Sequence, residues 1–204
     1  MNRKNTVIKY AGQRTYRVKF AGISRELPLV QVDPGVYIAS NAELILGDVE
    51  FLSKAAQVLA TEMKGLEFDI ILTAEAKSIA LAYELSKLLG LERFIVARKS
   101  AKAYVESYFS QRVRSITTKS NQQLLLTRQE MAALSGKRVC LLDDVVSTGA
   151  TFTALEAITR KAGGKVVCRA AIWREGPWYS KQNLVYIADL PVFVPEGSPL
   201  LDRT

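Results

Sequence analysis

Apolar runs of strand character alternate along this chain with stretches of helical period, and that alternation most restricts its fold. "FDIILTAEA" (68–76), "RFIVARK" (93–99), "RVCLL" (138–142) and "KVVCRAAIW" (165–173) are near-continuous apolar runs of the kind buried on both faces of a sheet. Between Asp48 and Met63, apolar residues fall at Val49, Leu52, Ala56, Leu59 and Met63, which is a helical spacing. Further helices are predicted from about Ser78 to Leu89, closed by Gly90, and from about Ala150 to Ala162, stopped by Gly163 and Gly164. Strands separated by helices of ten or more residues imply right-handed crossovers, so the expected fold is α/β: a mostly parallel sheet with helices on both faces. "TYRVKF" and "RELPLVQV", around the turn-like "AGIS", read as an N-terminal β appendage, and "VRSITT" and "QQLLLT", around "KSN", read as a hairpin.

Within that frame, "KRVCLLDDVVSTGATFTAL" (137–155) sets two adjacent carboxylates, Asp143 and Asp144, against the carboxyl end of a buried strand, where open parallel sheets bind ligands. Ser147, Thr148, Gly149, Ala150 and Thr151 follow and lead into a helix N-terminus, whose free N–H groups and dipole attract an anion such as phosphate. Carboxylates do not hold the same anion. They fit sugar hydroxyls or a metal ion, in a ligand that carries phosphate beside a polyol. Locally, a pair of solvated aspartates ahead of an ordinary Ser/Thr helix cap accounts for the same residues. No Gly-Lys-Ser or Gly-Lys-Thr occurs, so a Walker A loop is excluded.

Composition narrows the chemistry. The 204 residues contain no histidine, which removes Ser-His-Asp catalysis and most zinc sites. The two cysteines, Cys140 and Cys168, lie inside strand-like runs and are expected as buried reduced thiols. No apolar run approaches the roughly twenty residues of a membrane helix and the first residues lack a hydrophobic signal core, so a cytoplasmic protein that does not enter a membrane is expected. The net charge of +8 is concentrated in residues 1–25, with Arg3, Lys4, Lys9, Arg14, Arg17, Lys19 and Arg25, and in residues 98–119, which hold Arg98, Lys99, Lys102, Arg112, Arg114 and Lys119 against Glu106. Such segments suit an anionic partner, phosphate ester or nucleic acid, and equally an ordinary charged surface.

"VCLLDDVVSTGAT" (139–151) resembles the phosphoribosyl-pyrophosphate (PRPP) signature of type I phosphoribosyltransferases: four apolar residues, two acids, two apolar residues, and a Ser/Thr-Gly loop ending in Thr. The resemblance runs from about Asp69 to Trp173 and is similar to the purine branch, the adenine and xanthine enzymes in particular. "TAEAKSIALAYELSKLLG" (73–90) resembles the pyrophosphate loop and its helix, "VARKS" (96–100) the basic segment after the next strand, and "VRSITTKSNQQLLL" (113–126) the hairpin before the signature. Ala150 departs from the pattern, which usually has a second glycine there.

The resemblance implies a single phosphoribosyltransferase domain over 1–204, with 1–45 and 174–204 forming a small hood, and a purine-salvage reaction that joins PRPP to a purine base and releases pyrophosphate. Asp143 and Asp144 would take the ribose hydroxyls, directly or through Mg²⁺. Ser147, Thr148, Gly149, Ala150 and Thr151 would cradle the 5′-phosphate. Glu75, Ala76, Lys77 and Ser78 would lie along the pyrophosphate in a loop that in this family often contains a cis non-proline peptide, with Arg98 and Lys99 opposite. Residues from about 100 to 112 would close over the reaction, with Tyr104, Tyr108 and Phe109 excluding water. Asn41 and Trp173 are candidates for the base site, with Trp178 and Phe193 beside them, although aromatic residues there are as often core. A homodimer and no nucleic-acid partner are implied. A non-catalytic PRPP sensor that binds nucleic acid through the basic N-terminal arm remains an alternative, as does a phosphoribosyltransferase with a different acceptor.

Overall fold

The structure, a computed structural model, describes residues 6–101, 108–113, 122–181 and 183–201. Its centre is a five-stranded sheet formed by β5 (Ile70–Ala74), β6 (Phe94–Ala97), β9 (Arg138–Val146), β10 (Lys165–Glu175) and β11 (Leu184–Leu190), in the order β11-β10-β9-β5-β6. Every neighbouring pair in it is parallel. β5 is buried at each of its five positions, which explains why its sequence shows no polar alternation.

Helices cover both faces. On one side α2 (Val49–Glu62) and α3 (Ile79–Leu88) contribute Phe51, Ala55, Leu59, Leu81 and Leu85 to a core that also takes Cys140, Leu142 and Trp173 from the sheet. On the other, α5 (Ala150–Lys161) buries Phe152, Leu155 and Ile158, and α4 (Arg128–Leu134) adds Met131 and Leu134. The helical period around Asp48 to Met63 holds, but its buried stripe is shifted: Val49 is 77% exposed, whereas Phe51 is fully buried. Asp48 sets that start, because its carboxylate accepts the Phe51 N–H at 2.9 Å as the helix cap.

A second five-stranded sheet lies over one end of the first. It contains β1 (Val7–Lys9), β2 (Thr15–Phe20), β3 (Ile23–Asp33), β4 (Val36–Ala39) and β12 (Val192–Val194), ordered β1-β12-β4-β3-β2. A short helix, α1 (Ala42–Gly47), connects it to α2. The C-terminal hood expected over 174–204 is corrected here. Arg174, Glu175 and residues 184–190 belong to the parallel sheet, and only β12 joins the second sheet, where Val7 and Ile38 both pair with Val192.

The hairpin also differs from its sequence reading. Its strands are β7 (Tyr108–Val113) and β8 (Gln122–Thr127), so the first strand starts five residues earlier than "VRSITT" suggested. An antiparallel bridge between Arg98 and Leu125 ties the hairpin to the end of β6. Cys140 and Cys168 are both free and buried, and they face each other in register on β9 and β10. No helix among the described residues is long and apolar enough to cross a membrane.

Candidate functional site

The carboxyl ends of β5, β6, β9 and β10 open on the same rim of the parallel sheet, and the predicted residues gather there. β9 continues through Val146, so Asp143 and Asp144 lie within its last turn of pleat rather than in the loop. Asp144 is 6% exposed and accepts a hydrogen bond from Asn41 Nδ2 at 3.1 Å. Asp143 keeps part of its surface open and accepts from Ser78 Oγ at 3.3 Å and from the Asp144 N–H at 3.0 Å. Packing around the Asp143 carboxyl pushes its pKa well above the usual carboxylate range, and the neighbouring Asp144 charge pushes in the same direction.

Two helix starts are diverted to this pair. Asn41 and Ser78 occupy the N-cap positions of α1 and α3, where such side chains ordinarily accept a backbone N–H. Neither caps its own helix; each bonds an aspartate instead. α5 begins on Gly149 in the left-handed region at φ 78°, also without a side-chain cap. By contrast α4, away from the rim, carries a complete capping box between Thr127 and Glu130. The uncapped start of α5 therefore leaves backbone N–H groups available to an anion, with the Thr148 side chain exposed and those of Ser147 and Thr151 half-buried. Ala150 is the first helical residue.

Gly149 is held on a second count. A Cβ at that position would lie 2.4 Å from the Tyr179 ring, which packs flat behind the loop and edge-on to Phe152. Tyr179 is 6% exposed, and nothing in the sequence marks it.

Opposite this loop, β5 leads into Glu75, Ala76, Lys77 and Ser78, with a cis peptide between Glu75 and Ala76. Ala76 and Lys77 are exposed, and Lys77 Nζ stands 3.8 Å from Asp144 Oδ2. Glu75 turns away to accept the backbone N–H of Lys99 at 2.8 Å, which joins this loop to the basic segment after β6. Lys99 is exposed, and Arg98 Nε is buried with no hydrogen-bond partner among the described residues. Lys77 thus stands beside Asp144, and Arg98 and Lys99 follow the carboxyl end of β6, two strands away from β9 in the sheet.

The base candidates fare differently. Trp173 is 1% exposed and sits in the core, with Phe20 edge-on at 5.6 Å and Phe51 stacked at 6.2 Å. It packs the interior, so its assignment as a base contact is corrected. Phe193 is likewise buried, edge-on to Tyr16. Asn41 does reach the rim, but its amide is engaged by Asp144. Trp178 is 39% exposed and packs over Gly176, beside the rim. Of the segment expected to close, 102–107, including Tyr104, lie outside the described residues; Tyr108 and Phe109 begin β7.

One rim residue went unread in the sequence. Glu175, the last residue of β10, is 7% exposed and comes beside Ser147, the residue after the end of β9. The rule that singled out Asp143 and Asp144, an acid at the carboxyl end of a buried strand, applies to it equally.

Among the described residues no three His, Cys, Asp or Glu side chains converge on one point. A divalent ion at the aspartate pair would therefore draw most of its ligands from a bound substrate and water. The pair suits Mg²⁺ in that limited way, because a cation relieves the crowding that disfavours ionised Asp143.

Residues 48–189 match the phosphoribosyl transferase domain family. The chain is 32% identical over 127 residues to the adenine phosphoribosyltransferase of Thermosipho africanus, covering 60% of this chain and 69% of that protein. It is 29% identical over 163 residues to the xanthine phosphoribosyltransferase of Brevibacillus brevis, covering 76% and 82%. The fold is shared with the adenine phosphoribosyltransferase crystal structure from Thermoanaerobacter pseudethanolicus, with a TM-score of 0.66, 20% identity, and 80% and 95% of the two chains covered. It is also shared with the enzyme from Trypanosoma brucei solved with AMP, pyrophosphate and ribose-5-phosphate, at a TM-score of 0.60 and 19% identity over 75% and 70% of the chains.

Proposed function

This chain belongs to the phosphoribosyl transferase domain family, and from that premise we propose that it transfers the 5-phosphoribosyl group of PRPP to a purine base, forming a nucleoside monophosphate and releasing pyrophosphate. The observation that carries the reading is the meeting on one rim of an uncapped helix start at Gly149, the Asp143–Asp144 pair and Lys77, 3.8 Å from Asp144, with Arg98 and Lys99 following the carboxyl end of β6 on the same sheet.

In the reaction a purine nitrogen forms a bond to C1 of the ribose while the C1–oxygen bond to pyrophosphate breaks, its electron pair leaving with pyrophosphate and the purine N–H proton passing to solvent. Positive charge develops on the sugar and negative charge on the leaving group. Ser147 to Thr151 and the α5 N–H groups hold the 5′-phosphate. Asp143 and Asp144 hold the 2′- and 3′-hydroxyls and place negative potential beneath the sugar. Lys77, Arg98 and Lys99 draw the pyrophosphate away, with Glu75 fixing the distance between the two segments that carry them. Mg²⁺, held by Asp143 or Asp144 together with PRPP, supplies further positive charge to the leaving group when bound. Such preorganised electrostatics needs no covalent nucleophile and no histidine.

The working unit on this reading is one domain with a hood made from β1–β4 and β12, and it acts in the cytoplasm as a homodimer. The alternative of a nucleic-acid-binding sensor draws less support. Lys9, Arg17 and Arg25 of the basic arm are paired with Glu196, with Glu26, and with Asp48 and Glu50, so part of its charge is already engaged within the chain.

Incubation with Mg²⁺, PRPP and adenine, guanine, hypoxanthine or xanthine in turn tests the proposal, with pyrophosphate and nucleotide both measured. Turnover concentrated on one or two of the four bases is expected, since a site that bonds one exocyclic group rejects its analogues. PRPP binding without conversion of any base would replace the enzyme with the sensor.

A further inference from the structure

We propose that Glu175 is a positioning residue for the anion loop: through the Ser147 hydroxyl it fixes where the loop begins, and so sets the affinity for the phosphate end of the substrate. This inference rests on the reading of Ser147 to Thr151 as the 5′-phosphate site.

Three observations carry it. Glu175 is buried at the rim and has no ion pair among the described residues. A carboxylate withdrawn from water without a paired cation works against folding, so packing alone does not account for an acid there. Next, the register of the sheet delivers it to its partner. Arg174 pairs with Val146, so the following residues, Glu175 and Ser147, come side by side where β9 and β10 end. Finally, the chain turns immediately after Glu175 at a position with no room for a side chain. Gly176 turns the chain at φ 63°, and any Cβ on it would strike the Trp178 ring at 2.4 Å. Burial holds the Glu175 pKa up, and the neighbouring Ser147 hydroxyl draws it partly back down.

The consequence lies in geometry. The loop has only Ser147 and Thr148 between the end of β9 and Gly149, which starts α5. Tyr179 packs against Gly149 from one side, and a hydrogen bond from the Ser147 hydroxyl to Glu175, which the register places beside it, is the tie proposed between the other end of that short span and the neighbouring strand. Releasing the tie leaves the N–H groups of the loop present but no longer held at one spacing, which weakens phosphate binding more than it slows the chemical step.

The test uses the full chain with Glu175→Gln, Glu175→Ala, Ser147→Ala and the Glu175→Ala/Ser147→Ala double variant. Binding of ribose 5-phosphate is measured by calorimetry, steady-state KM and kcat for PRPP are measured with the preferred base, and melting curves confirm folding. Glu175→Ala and Ser147→Ala should each weaken ribose 5-phosphate binding and raise KM for PRPP by about tenfold, the scale of one hydrogen bond to a charged group, with kcat much less affected. The double variant should be no worse than either single one, and Glu175→Gln, whose side-chain oxygen still accepts from Ser147, should recover most of the loss. If Glu175→Ala does not fold, Glu175→Gln and Ser147→Ala decide the matter between them: a large loss in Gln, or none in Ser147→Ala, overturns the proposal. Additive losses in the double variant, or unchanged binding in Glu175→Ala, overturn it while leaving the enzyme reading intact. Failure of the unmodified protein to bind ribose 5-phosphate overturns the phosphate-site reading and the proposal with it, whereas binding without turnover of PRPP overturns the enzyme reading alone.

Discussion

Asn41 and Asp144 are 103 residues apart in the chain, and a 3.1 Å hydrogen bond joins them beneath the rim of the sheet. Asn41 gives up the cap of its own helix for that bond, so the end of the second sheet is fastened to the acid of the first. With Lys77 Nζ 3.8 Å from the same Oδ2, Asp144 is held as an oriented carboxylate rather than a mobile one.

Replacing Asp144 by Asn should therefore separate charge from shape. The variant should fold normally by circular dichroism and lose at least about a hundredfold in kcat, the range seen when one preorganised electrostatic group is removed. Near-normal turnover would remove the acidic pair from the mechanism.

Asp143→Asn should do the opposite to stability. The folded state favours neutral Asp143, so the penalty for ionising it is absent below the unfolded carboxyl value of about 4 and accumulates as pH rises. Melts in EDTA without substrate should show little difference between variant and parent at pH 4, and a variant melting about 2–4 °C higher at pH 7, the response expected for ~1 kcal/mol in a chain of this size. A lower melting temperature for the variant at pH 7 would show that the carboxylate is not under strain there. Activity should fall in the same variant, a separation of stability from function common at active sites.

Gly149→Ala meets two obstacles, the left-handed backbone at φ 78° and the Tyr179 ring 2.4 Å from the new methyl. Ribose 5-phosphate binding should fall by at least about tenfold, because the loop or Tyr179 must move by enough to disturb several N–H donors together. Pairing it with Tyr179→Ala should return part of the stability but not the backbone conformation, which melting and calorimetry would resolve.

Asp48→Ala probes the scaffold away from the rim. It removes the α2 cap and the partner of Arg25, at 2.6 Å, and should cost about 1–2 kcal/mol of stability by urea denaturation with KM for PRPP unchanged. The Arg25 hydrogen bond, then the Phe51 N–H, hold the Asp48 pKa below its usual value. Its contribution is thus complete above pH 4 and lost as acid protonates the folded carboxyl, so parent and variant should converge at low pH.

Which parts of this architecture a reader of the sequence can find follows from how local their causes are. β5, α3, α5 and β10 declare themselves because each is long enough for its own apolar pattern to decide. "VFV" in β12 does not: three residues between two prolines become a strand only through Val7–Lys9 and Val36–Ala39, far away in the chain. "LVYIADL" reads as a strand, yet nothing in it says which of two sheets it joins. The site divides in the same way. The Asp143–Thr151 stretch carries its chemistry in consecutive residues. Trp173 looked like a site aromatic and is core, because the aromatic residues that enclose it, Phe20 and Phe51, lie more than 100 residues away. Glu175 ends its strand as legibly as Asp143 and Asp144 do, but its place beside Ser147 becomes visible only once Arg174 is known to pair with Val146.

The strand order β1-β12-β4-β3-β2 imposes a timetable on a chain made from its N-terminus onward. β2, β3 and β4 can associate as soon as they leave the ribosome, but β1 must wait, because its neighbour β12 is separated from it by more than 180 residues still to be synthesised. Asn41, just beyond β4, is also made about a hundred residues before the carboxylate it serves. The second sheet is thus begun first and locked last, and the nascent protein passes through a stage in which the rim of the parallel sheet is built but the sheet beside it is not yet closed.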